Sequence, residues 1–404
     1  MFAPPRPLAA LLQSAAMRIA IVGYGTAGQA AAIFLARAGH EVTVFEQSAQ
    51  LRPVGAGFLL QPTGLGVLDA LGLRAAALER GARIARLHGV NPRGRLVMDM
   101  CYTGLAPDAY GLGMTRGALF DLLHARCAGI ADIRTGARIV EVHDGAIVVA
   151  DGGSHDGFGL VVVADGAHSA LRGASGLARR DPLYPWGAMW CLLPADDWPH
   201  VDELRQRYDC TRTMFGVLPV GLRPDTGAQR WLTFYYSLSG AAVDAFDGAA
   251  LARLQAEVST AWPELAERTS ALTHPAQLNR ARYRDVVLRQ PWRGRVVFIG
   301  DAAHGMSPQL GQGANMALLD AQALAASVST YARLDDALAA YARERERHVA
   351  VYQFVSRWLT PLFQSGSRTL GPLRDACFGP LGRLPYLQPQ MLKILAGTKR
   401  SWWR

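Results

Sequence analysis

Two hydrophobic periods alternate along the chain, and the points where one gives way to the other mark its elements. Ile19–Val22 is a short, largely β-branched apolar run, the composition of a buried strand. It passes into Gly23-Tyr24-Gly25-Thr26-Ala27-Gly28. An alanine-rich stretch with helical spacing follows to about Arg37 and stops at Gly39. Val42–Phe45 is a second apolar strand, ending at Glu46. Leu65, Leu68 and Leu71 then fall on one face of a helix closed by Gly72. Segments 83–90 and 95–100 read as strands joined by the turn Asn91–Gly94, and Gly111–Thr115 as another strand. Arg116 opens a helix whose buried side carries Leu119, Leu122 and Leu123. Residues 132–150 alternate like antiparallel strands, Asp151–Gly153 makes a hairpin turn, and 159–164 reads as the return strand. Val296–Ile299 is a buried strand before a glycine-rich loop, a helix starts near Ala314, and 335–358 form a long charged helix whose RERER run reads as a solvated face.

The first of these units has the strand–turn–helix–strand setting of a dinucleotide site. Gly23 allows a tight turn, Gly25 lets the backbone approach a pyrophosphate, and Gly28 lets helix and strand pack closely. The phosphates would meet free N–H groups at the helix start, around Thr26 and Ala27. Glu46, 18 residues past Gly28, suits a ribose and disfavours a 2′-phosphate, which selects FAD or NAD over NADP. A second strand-and-loop device comes almost 300 residues later. Gly300 and Asp301 end a strand, and Pro308, Gly311, Gly313, Ala314 and Asn315 follow. Asp301 can bond a ribityl hydroxyl, and the pairing implies two distant segments closing on one extended cofactor. Asp165 and Gly166 end another apolar strand, where α/β sheets bind ligands, with Arg172 in the short helix after them. A basic residue at a helix start opposes the dipole, so Arg116 is expected to reach the cofactor rather than serve its helix.

Composition changes between about 180 and 285, where aromatics are dense and proline and glycine punctuate short strands. The expected organisation is an extension over 1–16 without structure, a discontinuous nucleotide domain over 17–180 and 286–330, a β-rich second domain over 181–285, and a helical C-terminal region over 331–404. The net charge of +9 comes almost wholly from arginine, with Lys393 and Lys399 the two lysines. No arginine run is interleaved with aromatics, so no nucleic-acid surface is expected. Five cysteines without CxxC or CxxH spacing argue against a disulfide framework or a metal site and for a cytoplasmic setting. No apolar stretch approaches the ~18 residues of a membrane span. The final KRSWWR could rest weakly on a membrane surface.

Together these residues resemble the single-component flavoprotein aromatic hydroxylases, the group A monooxygenases typified by para-hydroxybenzoate hydroxylase. The likeness covers about 17–350 and rests on three motifs in order: GYGTAG with Glu46, ADGAHSALR from Asp165 to Arg172, and GDAAHGMSPQLGQGANMALLDA from Gly300. Arg116 matches the family's FAD-contacting arginine, and Arg52 lies near another arginine tied to flavin or nicotinamide. The sequence departs from the family at Leu319, where an acid is usual, and at Pro62-Thr63.

The resemblance implies an α/β, glutathione-reductase-like Rossmann domain with an inserted β-rich substrate domain. It also implies FAD as resident cofactor and NADH or NADPH as transient reductant. Reduced flavin would take up O2 to form a C4a-hydroperoxide that hydroxylates a phenol-like or heteroaromatic ring. Pro308 and the Gly311–Asn315 backbone would lie beside the isoalloxazine, and Tyr235 and Tyr236 are candidates for the group that ionises the substrate. A monomer or homodimer is expected. Trp186–Trp190 only weakly resembles the tryptophan motif of halogenases, and both lysines are in the tail. An oxidase, reductase or epoxidase on a lipid-like substrate, and a flavin-binding protein without turnover, are the competing readings.

Overall fold

The structure is a computed structural model and describes residues 15–51, 55–382 and 384–401. The expected extension over 1–16 lies almost wholly outside the described residues, as do Arg52 and the last three residues of the tail.

Six strands form the sheet that carries the nucleotide half. Their order is Trp292–Arg293, Val296–Phe298, Leu160–Val163, Arg18–Val22, Glu41–Phe45 and Asp132–Arg134, all parallel except the first. Ile19 lies opposite Leu160 on one side and Val42 on the other. The interior strands are apolar on both faces because helices cover one face and a small antiparallel sheet covers the other. The Thr26–Arg37 helix packs on the Gly313–Thr330 helix through alanines such as Ala31 and Ala321, whose methyl side chains let the two axes approach.

Two strand expectations are corrected here. Residues 159–164 are not the return arm of a hairpin. All four residues of Leu160–Val163 are buried, and the strand sits in parallel between Arg18–Val22 and Val296–Phe298. The return arm is Ser154–His155, pairing with Ala146–Val149. Likewise Asp132–Arg134 runs parallel beside Thr43–Phe45 rather than joining the antiparallel pair 139–149.

The second sheet has seven strands in the order Asn279–Arg284, Leu183–Pro194, Arg230–Ser239, Thr213–Leu222, Glu203–Asp209, Arg86–Val90 and Leu96–Cys101. It reaches beyond 181–285, because Leu204 pairs in parallel with Leu87. Alternation divides its faces. Phe215, Phe234 and Tyr236 point to the Gly248–Ala261 helix, with Leu254, Val258 and Trp262. The opposite face carries Trp190, Thr233 and Tyr235 toward the first half of the molecule. A three-stranded sheet, Gly57–Leu60, Gly111–Thr115 and Ala82–Ile84, lies between the two halves.

The long helix spans Leu334–Phe363, and Leu370–Leu381 and Leu387–Leu395 follow it. The described part of the tail packs on the body: Leu392 and Leu395 are buried with Leu59, Tyr102 and Leu218.

Candidate active site

The first glycine turn is built from mutual close approach. Gly23 has φ +100°, and a Cβ there would lie 2.6 Å from the Ala164 carbonyl oxygen. A Cβ on Gly28 would lie 1.9 Å from the Gly23 carbonyl oxygen. Gly25 differs, because a Cβ there would point into open space. That space is a cleft of about 320 Å³ lined by Gly25, Thr26, Glu46, Ser48, Phe58 and Arg116, among others. The helix beginning at Thr26 has no side-chain cap, so its first N–H groups remain available at the cleft. Glu46 is fixed by two backbone donors, Tyr24 N–H at 2.8 Å and Ser48 N–H at 2.9 Å. Arg116 lies over the Gly55 backbone, with its guanidinium carbon 5.8 Å from the Phe58 ring centre, and forms no ion pair among the described residues. The cleft therefore offers an acid at one position, a basic group at another, and helix N–H groups as well.

The second device closes on the first. Gly300 has φ +60°, and a Cβ there would lie 3.0 Å from the Ala27 Cβ and 3.5 Å from the Ala317 Cβ. Two segments far apart in sequence thus meet at one point. Asp301 is exposed, and its Oδ1 would lie 3.7 Å from a Cβ on Gly313, facing the next helix start. The Gly313–Thr330 helix also lacks a side-chain cap, so the N–H groups of Gly313 and Ala314 remain available toward this space, while Asn315 is fully buried. Asp165 ends the neighbouring strand, with one carboxylate oxygen buried and unpartnered among the described residues; burial pushes its carboxyl above the usual range. Open space at Gly25, the orphaned oxygen of Asp165, and Asp301 and Arg116, neither ion-paired among the described residues, fit an elongated dinucleotide such as FAD. Pro308 begins a turn over 308–310 whose preceding Ser307 hydroxyl is held at 2.7 Å by both Ser356 and Thr360 of the long helix.

A family described as "FAD binding domain" matches residues 16–355. The chain belongs to this family. This flavoprotein is 31% identical over 331 residues to a probable 2-heptyl-3-hydroxy-4(1H)-quinolone synthase of Rhodococcus erythropolis, covering 80% of this chain and 82% of that one. It is also 31% identical over 324 residues to a 3-amino-4-hydroxybenzoate 2-monooxygenase of Streptomyces cremeus, covering 76% and 77%. The solved structure of Klebsiella pneumoniae HpxO complexed with FAD and uric acid superposes with a TM-score of 0.77 at 21% identity. That match covers 95% of this chain and 96% of that chain.

Several residues expected at the site of the flavoprotein sit behind it instead. Arg172 is 1% exposed and pairs through two nitrogens with Asp181, at 3.0 and 3.1 Å. Its remaining donors go to the carbonyls of Ala167 and Ala302, which ties the Asp165 loop to the Asp301 turn. The side chain of Asn315 accepts from Gln61 N–H at 2.8 Å and donates to the carbonyls of Leu59 and Gly311, and the residue is fully buried behind the loop. Tyr236 is corrected: its hydroxyl donates to Glu257 at 2.8 Å, on the helix-covered face of the second sheet. Tyr235 lies on the other face, its ring 4.9 Å from Trp190 and its hydroxyl accepting from Gln206. Burial pushes the Tyr235 phenol well above its ordinary value, so it stays protonated and can donate a hydrogen bond but not act as a base near neutral pH.

A buried chain of polar groups was not read from the sequence. Asp320 accepts from Gly300 N–H at 2.8 Å and from His304 Nε2 at 2.5 Å, while its other oxygen accepts from Arg345 Nε at 2.7 Å. Arg345 also donates to His348 Nδ1 at 2.8 Å, and His348 Nε2 donates to the Gly397 carbonyl at 2.9 Å. Thr63 and Gln312 donate to the carbonyls of Ala396 and Leu395 beside it. The second glycine loop is thereby braced by the C-terminal segment. The available signal was spacing: Tyr341, Arg345, His348 and Tyr352 recur at helical intervals on the buried stripe of the long helix.

Burial, then the Arg345 guanidinium, push His348 down to about 4. Its folded value is thus below the ordinary 6.5, so the fold favours the neutral ring. Above pH 6.5 neither state takes up this proton. As pH falls from 6.5 toward 4 the unfolded chain binds it and the folded chain does not, so stability falls by up to about 3 kcal/mol. The melting temperature is expected to drop across that window, and His348→Gln should flatten the drop. Parallel curves for the two proteins would show that another group is responsible.

Proposed function

We propose that this flavoprotein is an NAD(P)H-dependent aromatic hydroxylase acting on a ring that carries a hydroxyl or oxo group. The observation that carries the reading is the convergence of Gly300, Ala27 and Ala317, which makes one elongated site from the two glycine devices. Bound FAD supplies the electron transfer and oxygen activation. The chain's own residues bind and orient it: Glu46 takes the ribose, the N–H groups at Thr26 and Ala27 take the pyrophosphate, and Arg116 offsets its charge. Asp301 bonds the ribityl chain, and the N–H groups of Gly313 and Ala314 favour negative charge on the reduced ring. Arg172 and the Asn315 side chain act as positioning groups for the loops. Pro308 walls the reacting side.

The substrate is assigned to the second sheet's inner face. There Trp190 Nε1 donates to the Tyr283 hydroxyl at 3.0 Å, and Tyr235 is held by Gln206. Both tyrosine oxygens already accept a hydrogen bond, so each O–H is left to donate to a substrate oxygen. Apolar neighbours, including Leu359 and Met214, exclude water from the same surface. Relatives named for 2-heptyl-3-hydroxy-4(1H)-quinolone and for 3-amino-4-hydroxybenzoate support two substrate classes, of which the apolar surface favours alkylated quinolones.

The test is anaerobic flavin reduction followed by visible absorbance after mixing with NADH or NADPH, alone and with phenols, pyridinols or alkyl quinolones. Many-fold acceleration by one class is expected. Equal rates with every compound would favour an oxidase or reductase, and no reduction by either nucleotide would remove the hydroxylase reading.

A further inference from the structure

We propose that the turn joining the last two helices is a membrane-contacting knuckle, in which Leu381, Leu384 and Tyr386 rest on an anionic bilayer surface. Exposed large hydrophobic side chains are unevenly distributed: of eleven among the described residues, six lie between Phe354 and Tyr386. Three of these fall within six residues of one turn, with exposures of 40% for Leu381, 47% for Leu384 and 76% for Tyr386. Pro380 and Pro385 are exposed beside them. The turn is held from beneath, where Leu392, Leu395 and Phe378 enter the core. Part of its backbone is also satisfied internally. Leu384 and Leu387 N–H donate to the carbonyls of Leu381 and Leu384 at 3.1 Å, and Gln388 N–H to Leu384 at 3.0 Å. Apolar side chains can therefore enter a headgroup layer without carrying these three N–H groups open with them.

Charge decides what meets this surface. From residue 364 onward the chain has seven basic residues against one acid, Asp375, so six of its nine net charges lie in its last 41 residues. Arg374 is buried on Asp375 and Lys399 is buried against Gln390, which leaves Arg368, Lys393 and Arg400 exposed among the described residues. An apolar knuckle in a segment of net positive charge matches anionic lipid. A second copy is disfavoured, because the two basic segments would face each other. No helix among the described residues is long and apolar enough to cross a bilayer, so the contact is peripheral.

This inference stands apart from the substrate reading, and its test does not use turnover. The full-length holoprotein is sedimented with vesicles of phosphatidylcholine containing phosphatidylglycerol, and with phosphatidylcholine alone, at low and high salt. Binding to the anionic vesicles that weakens with salt is expected. The double variant Leu384→Ser/Tyr386→Ser should lower partitioning roughly tenfold while leaving FAD content and nucleotide-driven reduction unchanged. No sedimentation with either vesicle, or equal binding to neutral vesicles, overturns the proposal. So does a lipid-free dimer, seen by analytical ultracentrifugation, that the same substitutions dissolve.

Discussion

Gly28→Ala is expected to yield protein that neither retains FAD nor keeps its thermal stability. The added methyl would sit 1.9 Å from the Gly23 carbonyl oxygen, against the 3.0 Å that such contacts respect. The helix start must move away by about 1 Å. Gly23 has little room to yield in turn, since even a Cβ built on it would lie 2.6 Å from the Ala164 carbonyl oxygen. A shift of about that size in a positioning element can cost on the order of a hundredfold in function. Titrating apoprotein with FAD and following flavin fluorescence measures the loss. Gly25→Ala provides the contrast: its methyl meets no protein atom within 4 Å, so the apoprotein should melt normally yet bind FAD weakly. Unchanged FAD content and melting in the Gly28 variant would show that the turn does not form as described.

Asp320→Asn is expected to destabilise the protein by roughly 3–5 kcal/mol. Asp320 is fully buried and accepts from Gly300, His304 and Arg345. An amide offers one acceptor oxygen, so its NH2 must point at a donor on one side or the other. The Arg345 guanidinium is left buried without its counter-charge. Calorimetry should show a melting temperature lower by roughly ten degrees. The double variant Asp320→Leu/Arg345→Met should recover much of the loss, because no uncompensated charge remains. If the single variant melts normally, Arg345 has another route to solvent or to a partner.

What the sequence made legible is largely what local geometry determines. The Gly23–Gly28 turn could be read because each glycine answers a short-range constraint, and Glu46 followed from its position after the second strand. The misplaced strand 159–164 shows the limit of that reading. An apolar run has the same composition as a hairpin arm or as a central parallel strand, and only the later arrival of Val296–Phe298 decides between them. Tyr235 and Tyr236 show another limit. Adjacent residues in a strand point to opposite faces, so at most one of them could face the site, but the facing helix that fixes which one is itself remote in sequence. Arg345 sits in a run of alternating charges that reads as solvated. Its burial depends on Asp320, 25 residues away on a different helix.

The strand order also constrains how the protein can be made. Leu160–Val163 pairs on one side with Arg18–Val22, but its other neighbour, Val296–Phe298, is synthesised more than 130 residues later. Until then an apolar strand with an open hydrogen-bonding edge is exposed on the nascent chain, the kind of surface that recruits unwanted strands. The seven-stranded sheet is mostly local: four of its strands, from Leu183 to Ser239, follow one another in sequence and can pair early. Assembly is therefore expected to run from the middle outward. Chaperone dependence and aggregation during expression should track the interval before residue 298 leaves the ribosome.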